Sequence, residues 1–262
     1  MSSVSPVFGS RPAPTWRAVA AVAAMELRQT ARRGENVLVT LVIPPAVLLF
    51  FATVGVLPGI AGRPVDFLLP GTLALAVIAR GLVNLGIATA YERSYGVLKR
   101  LGGAPVPRWG LVASKVVAIL VLEAVQVLAL LAVGSLVLGW APGAGWSPLL
   151  FVAAIVLGTV AFASLGLLLA GTLRAEATLA LANGLFLGFL MLGGVVLPID
   201  HLPSALQPIA ALLPSTALAD LLRVALASGL GSTAPAASTS ALILAAWAAV
   251  TATLAARTFR WE

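Results

Sequence analysis

The chain has 262 residues, of which 60% are apolar and 10% are Asp, Glu, Lys or Arg, against roughly 25% charged residues in an ordinary soluble domain. So little charge cannot cover a water-facing surface, which excludes a soluble fold and points to a chain whose main solvent is lipid. With no cysteine and one histidine, His201, a disulfide framework, a thiolate zinc site, an Fe–S cluster and a His-rich metal cage are excluded too.

The first element in chain order is an N-terminal tail and helix, 1–36. Over 16–33, Trp16, Val19, Ala20, Ala23 and Leu27 share one helical face while Arg17, Arg28 and Arg32 lie on the other. Such a helix is expected to lie in the interface plane as a basic anchor, or to touch a cytoplasmic partner as well. Gly34 and Asn36 are expected to break it before the first span. A cleaved signal peptide is the competing reading of 18–24, but cleavage would translocate Arg28, Arg32 and Arg33, against the charge bias.

The rest, 37–262, reads as one membrane domain. Runs long enough to cross about 30 Å of hydrocarbon fall at 37–57, 67–90, 112–138, 149–173, 177–197 and 238–256. They are continuously apolar, unlike the roughly ten-residue alternating segments of a β-barrel, so the expected class is all-α with six transmembrane helices. The net charge is +7, and its distribution reports orientation rather than nucleic-acid binding. With the N-terminus inside, inside segments hold Arg11, Arg17, Arg28, Arg32, Arg33, Arg93, Lys99, Arg100, Arg108, Lys115, Arg174, Arg257 and Arg260, while outside loops hold Arg63 and Arg223. Both termini are therefore expected to be cytoplasmic.

Within the second and third spans, Arg80 and Glu123 are costly charges. Arg80 is ten residues in from position 90 and Glu123 eleven in from 112, so at about 1.5 Å per residue both lie about 15 Å deep on antiparallel neighbours. They are expected to form an intramembrane ion pair, which either fixes packing or lines a transport path.

The coupling loop, 91–111, sits at the head of the longest inside connection, which runs to Lys115. Its first eleven residues suit a short helix presenting Glu92, Arg93, Lys99 and Arg100 to water, stopped by Gly102, Gly103, Pro105 and Pro107. The outer segment, 198–230, is punctuated by Pro203, Pro208 and Pro214, giving two short apolar helices, 204–213 and 215–227, with Ser204 and Ser215 as N-caps. Asp200 and His201 read as part of a turn. No G-x-x-x-x-G-K-[ST], G-x-S-x-G, H-E-x-x-H or G-x-G-x-x-G is present, so the chain offers no motif for ATP hydrolysis, acyl transfer, zinc proteolysis or dinucleotide binding.

Between the second and third of six spans, Glu92, Arg93, Gly96, Lys99, Arg100, Leu101, Pro105, Pro107 and Arg108 resemble the coupling segment of the permease subunit of ABC type-2 exporters. The lead Arg32 to Asn36 and the run Leu213 to Arg223 are similar to that family as well, so the resemblance covers most of the chain. It implies a multidrug- or antibiotic-resistance-like exporter, with a coupling helix docked on a cytoplasmic ATPase subunit, Arg174 and Glu176 as a second coupling turn, and an external re-entrant helical hairpin at 198–230. It further implies two ATPase copies that bind the ATP and Mg, no cofactor on this chain, and a second permease protomer in a homo- or heterodimer. The substrate path would run between protomers along the second and fifth spans, with Asn84, Asn183, Phe186, Phe189 and Met191 as candidates, each of which also suits core packing. Gly184 and Gly188 form a G-x-x-x-G that permits close helix approach.

The substrate class expected is an amphipathic drug, lipid or related molecule. The alternatives are an ion-coupled secondary transporter, which needs repeats and more intramembrane carboxylates, and a non-transporting membrane assembly factor or embedded enzyme. Richness in Ala, Gly, Arg and Pro suits a high-GC bacterium and hence its plasma membrane.

Overall fold

The computed structural model describes residues 15–32, 34–54, 63–97, 108–228 and 237–259, which form helices joined by turns and irregular segments, with no strand among them. Helix α1 covers Thr15–Arg32 and α2 covers Gly34–Val54. Helix α3, Pro64–Ile78, runs through a π-helical segment, Ala79–Leu85, into α4, Gly86–Ser94. Then follow α5 (Arg108–Leu136), α6 (Pro148–Thr172) and α7 (Ala175–Leu192). A 3₁₀ turn at Ile199–His201 leads to α8 (Gln207–Ala211), α9 (Pro214–Ala225) and α10 (Ala237–Thr258).

Among the described residues, five rods are long and apolar enough to cross a membrane: Pro64–Ser94, Ala113–Leu136, Pro148–Thr172, Ala175–Leu192 and Ala237–Thr258. The expected first span, 37–57, falls on α2, whose apolar part Val42–Val54 forms a shorter helix. Helix α2 keeps its helical form through Pro44 and Pro45, and α3 through Pro70. In hydrocarbon the alternative to a helix is a set of unpaired backbone groups, which costs more than the one hydrogen bond a proline removes. Ser147 starts α6 by accepting from the Leu150 backbone N–H at 3.3 Å, with Pro148 in the first turn.

Helix α6 is central, packed on α10, the π segment, α9, α4, α3 and α7. Its contact with the π segment is a backbone-to-backbone seam. A Cβ on Gly81 would come within 2.7 Å of the Ala163 backbone nitrogen, one on Gly166 within 2.5 Å of the Gly81 carbonyl oxygen, and one on Gly86 within 3.1 Å of the Gly166 Cα. Small residues thus set the closest approach of two helices where lipid offers no hydrophobic drive to push them together. Around the seam, Leu73, Ile78, Leu82, Phe162, Leu218, Leu222 and Leu244 form a fully buried core.

Helix α1 ends at Arg32 and α2 begins at Gly34, so a helix boundary falls where one was expected, at position 33 outside the described residues, while Asn36 lies inside α2. The apolar face of α1 is only partly covered by the rest of the protein. Ala23 turns inward, whereas Ala20 and Trp16 are exposed, with the Arg17 guanidinium 5.1 Å from the Trp16 ring centroid. The hairpin helices are shorter than 204–213 and 215–227, and neither serine caps one: Leu213 holds the N-cap position of α9, and Ser215 is buried in its first turn against Gly193.

Helix α9 is anchored by charge as well as apolar contact. Arg223 pairs with Asp220 at 2.8 Å, donates to the Gly194 carbonyl and lies 4.2 Å from the Phe67 ring centroid. Burial pushes the Asp220 carboxyl above the ordinary range while Arg223 pulls it back. Trp247 of α10 adds a bond from its indole N–H to the Leu212 carbonyl at 3.0 Å.

Candidate functional site

The end of the bundle where α4 gives way to α5 gathers charge. Helix α4 does not stop at position 90 but continues to Ser94, and Gly96, at φ +68°, closes it in the left-handed conformation that favours glycine. This extra turn places Glu92 2.7 Å from Lys115 near the start of α5, and the same ammonium is 2.9 Å from Glu26 of α1. Arg93, the next residue of α4, donates to the carbonyl of Leu173, which caps the C-terminus of α6. Arg174 and Glu176 follow at once, both exposed at the start of α7.

Glu92 and Arg93 are therefore turned towards their own chain, where the sequence suggests presentation to water. Lys99, Arg100, Leu101 and Pro105 lie outside the described residues, and Arg108 opens α5.

Midway along the bundle, Arg80 and Glu123 face each other closely enough for their charges to interact, yet among the described residues they form no direct ion pair. Arg80 Nε donates instead to Gln126 Oε1 at 3.1 Å, one turn along α5 from Glu123. The Thr159 hydroxyl of α6 donates to Glu123 Oε2 at 2.6 Å and lies 2.8 Å from the Ile155 carbonyl oxygen. Among the described residues Glu123 Oε1 has no hydrogen-bond partner, although Glu123, Gln126 and Thr159 are almost wholly buried. The cluster thus joins three rods by polar contacts, with Arg80 sitting on the π-helical segment. A π turn inserts an extra residue into a helix and is frequent at functional sites; no periodicity of hydropathy marks it.

The path candidates separate into two groups. Asn84 on the π segment and Asn183 and Met191 on α7 are exposed, with the Asn183 amide donating to the Leu179 carbonyl at 2.8 Å. Phe186 is half-buried, and Phe189 is buried with its ring 5.6 Å from Phe162, edge to face, so Phe189 belongs to the core. Helix α7 is the least buried of the five rods. Beside its Gly184 and Gly188 there is open space, with nothing within 4 Å of an added Cβ.

Sequence reading missed Lys115, Gln126 and Thr159 as partners. Gln126 carries a usable signal, since three residues after Glu123 it shares a helix face. Lys115 and Thr159 carry none, because their partners come from other rods.

Rods of membrane length packed around a buried polar cluster define a multi-pass membrane protein. Over residues 17–227 the chain matches the ABC-2 type transporter family, and it belongs to that family: it is a membrane permease component of an ABC transporter, a part that is not itself catalytic. Comparison with curated proteins gave no match.

Proposed function

We propose that this permease forms the substrate path of an ATP-driven exporter and works as a dimer, each protomer contributing six spans, with α2 as the first and both termini in the cytoplasm. Two separate cytoplasmic ATPase subunits bind the ATP and Mg, dock on the coupling loop at 91–111 and on the Arg174–Glu176 turn, and tilt the rods between inward-open and outward-open arrangements. Helices α8 and α9 form a re-entrant hairpin on the outer side. Asn84, Asn183, Phe186 and Met191 are the residues assigned to the path between protomers, and an amphipathic drug, lipid or related molecule suits its apolar walls. A bacterial plasma membrane is the setting that the composition favours.

The family match over residues 17–227 carries this reading. The test is co-expression with a candidate ABC ATPase followed by hydrolysis assays in nanodiscs. The wild-type complex should hydrolyse ATP at a rate that depends on the permease, and Lys99→Glu with Arg100→Glu should abolish that dependence while the permease still reaches the membrane. Intact permease that binds none of a full set of ABC ATPases from its source would defeat the proposal.

A further inference from the structure

We infer that Lys115 is the positioning residue of a rigid joint that fastens α1, the base of the coupling loop and the α6–α7 turn into one moving body. This deepens, and rests on, the coupling role proposed for the loop. One buried ammonium spans two carboxylates from different elements, at 2.9 Å to Glu26 and 2.7 Å to Glu92. The Glu92 contact pins the two ends of the coupling loop to each other, so a force applied to the loop reaches both rods rather than being absorbed by a flexible linker. Arg93, adjacent to Glu92, carries the connection to the Leu173 carbonyl and so to the start of α7.

Helix α1 packs along α5, and the joint adds a charged hold to that contact. Of the apolar residues of α1 whose side chains are described, Ala23 alone is fully buried, and Val19, Val22 and Leu27 are half-buried. Removing the ammonium takes away the one cation seen to touch both the Glu26 and the Glu92 carboxylates among the described residues, each largely sheltered from water. Loss of Lys115 therefore opens the joint instead of leaving it loosely closed.

The chain has no cysteine, so Met25→Cys on α1 and Tyr95→Cys beyond α4, both exposed, can carry spin labels in the full-length permease in nanodiscs. The distance between them should be narrowly distributed with Lys115 and with Lys115→Arg, and become roughly twofold broader with Lys115→Met. A Lys115→Met distribution as narrow as the wild type overturns the joint. Should Lys115→Met fail to assemble, Glu26→Gln, which weakens the α1 arm while leaving the Glu92 contact, must broaden the distribution for the inference to stand.

With a co-expressed ABC ATPase subunit, Lys115→Met should bind it yet lose the permease-dependent change in hydrolysis, and a wild-type response in that variant also overturns the role. Because the distance measurement needs no partner, absence of ATPase binding by the wild type would count against the proposed function and leave the joint standing.

Discussion

At the scale of single residues, the buried polar cluster decides which charge matters more. Glu123 is fully buried, accepts one bond from Thr159 and has a second oxygen without a hydrogen-bond partner among the described residues. A carboxylate so placed loses its hydration and is compensated by the Thr159 hydroxyl and by the charge of Arg80, which spends its Nε on Gln126. Glu123→Gln, which removes the charge and keeps the shape, should leave thermal stability in detergent unchanged or raised. Arg80→Met strands the carboxylate and should cost about 3 kcal/mol, most of which Glu123→Gln should recover in the double variant. Equal losses in Arg80→Met and in the double variant would show that the two charges do not interact energetically. That Arg80 and Glu123 share one level was readable from their depth in antiparallel spans. The choice of Gln126 as hydrogen-bond partner was not, since it depends on rotamers and on a π turn with no signature in hydropathy.

At the scale of elements, the seam between the π segment and α6 is a backbone-to-backbone contact, and its glycines are not interchangeable with those that face open space. A methyl on Gly81 would lie 2.7 Å from a backbone nitrogen, which no side-chain rotation relieves, whereas one on Gly188 would meet nothing within 4 Å. Gly81→Ala should therefore cost about 2 kcal/mol or more, and Gly188→Ala almost nothing. Thermal unfolding of the two purified variants decides between this ranking and one in which all glycines merely loosen helices, where both would be stabilised slightly.

Hydropathy located five of the rods to within a few residues, because a run of apolar side chains is what a spanning helix requires. Their ends escaped it. Span 67–90 extends to Ser94 because polar Tyr91–Ser94 continue the helix to a glycine stop at Gly96, and 177–197 ends early, at Leu192, because Gly193 and Gly194 turn the chain.

At the scale of the whole molecule, the rods are unequally covered, and α7 is the one left barest. Its exposed residues include Leu179, Asn183, Leu187 and Met191, with Gly184 and Gly188 opening a groove between them. Lipid satisfies the leucines and the methionine, but an exposed Asn in hydrocarbon is better served by another helix, and small residues let that helix approach closely. A two-fold axis near Asn183 would set each asparagine against its copy, the self-complementary arrangement a symmetric dimer demands. Because no described residue comes within 4 Å of a Cβ added at Gly184 or Gly188, Gly184→Leu with Gly188→Leu should leave the protomer folded and its melting temperature close to wild type. The same pair should fill the groove and shift the mass measured in nanodiscs from two protomers to one. If the pair of leucines leaves the mass at two protomers, the dimer contact does not run along this face of α7. If the variant and the wild type both have the mass of one protomer, the path proposed between two copies has no second wall.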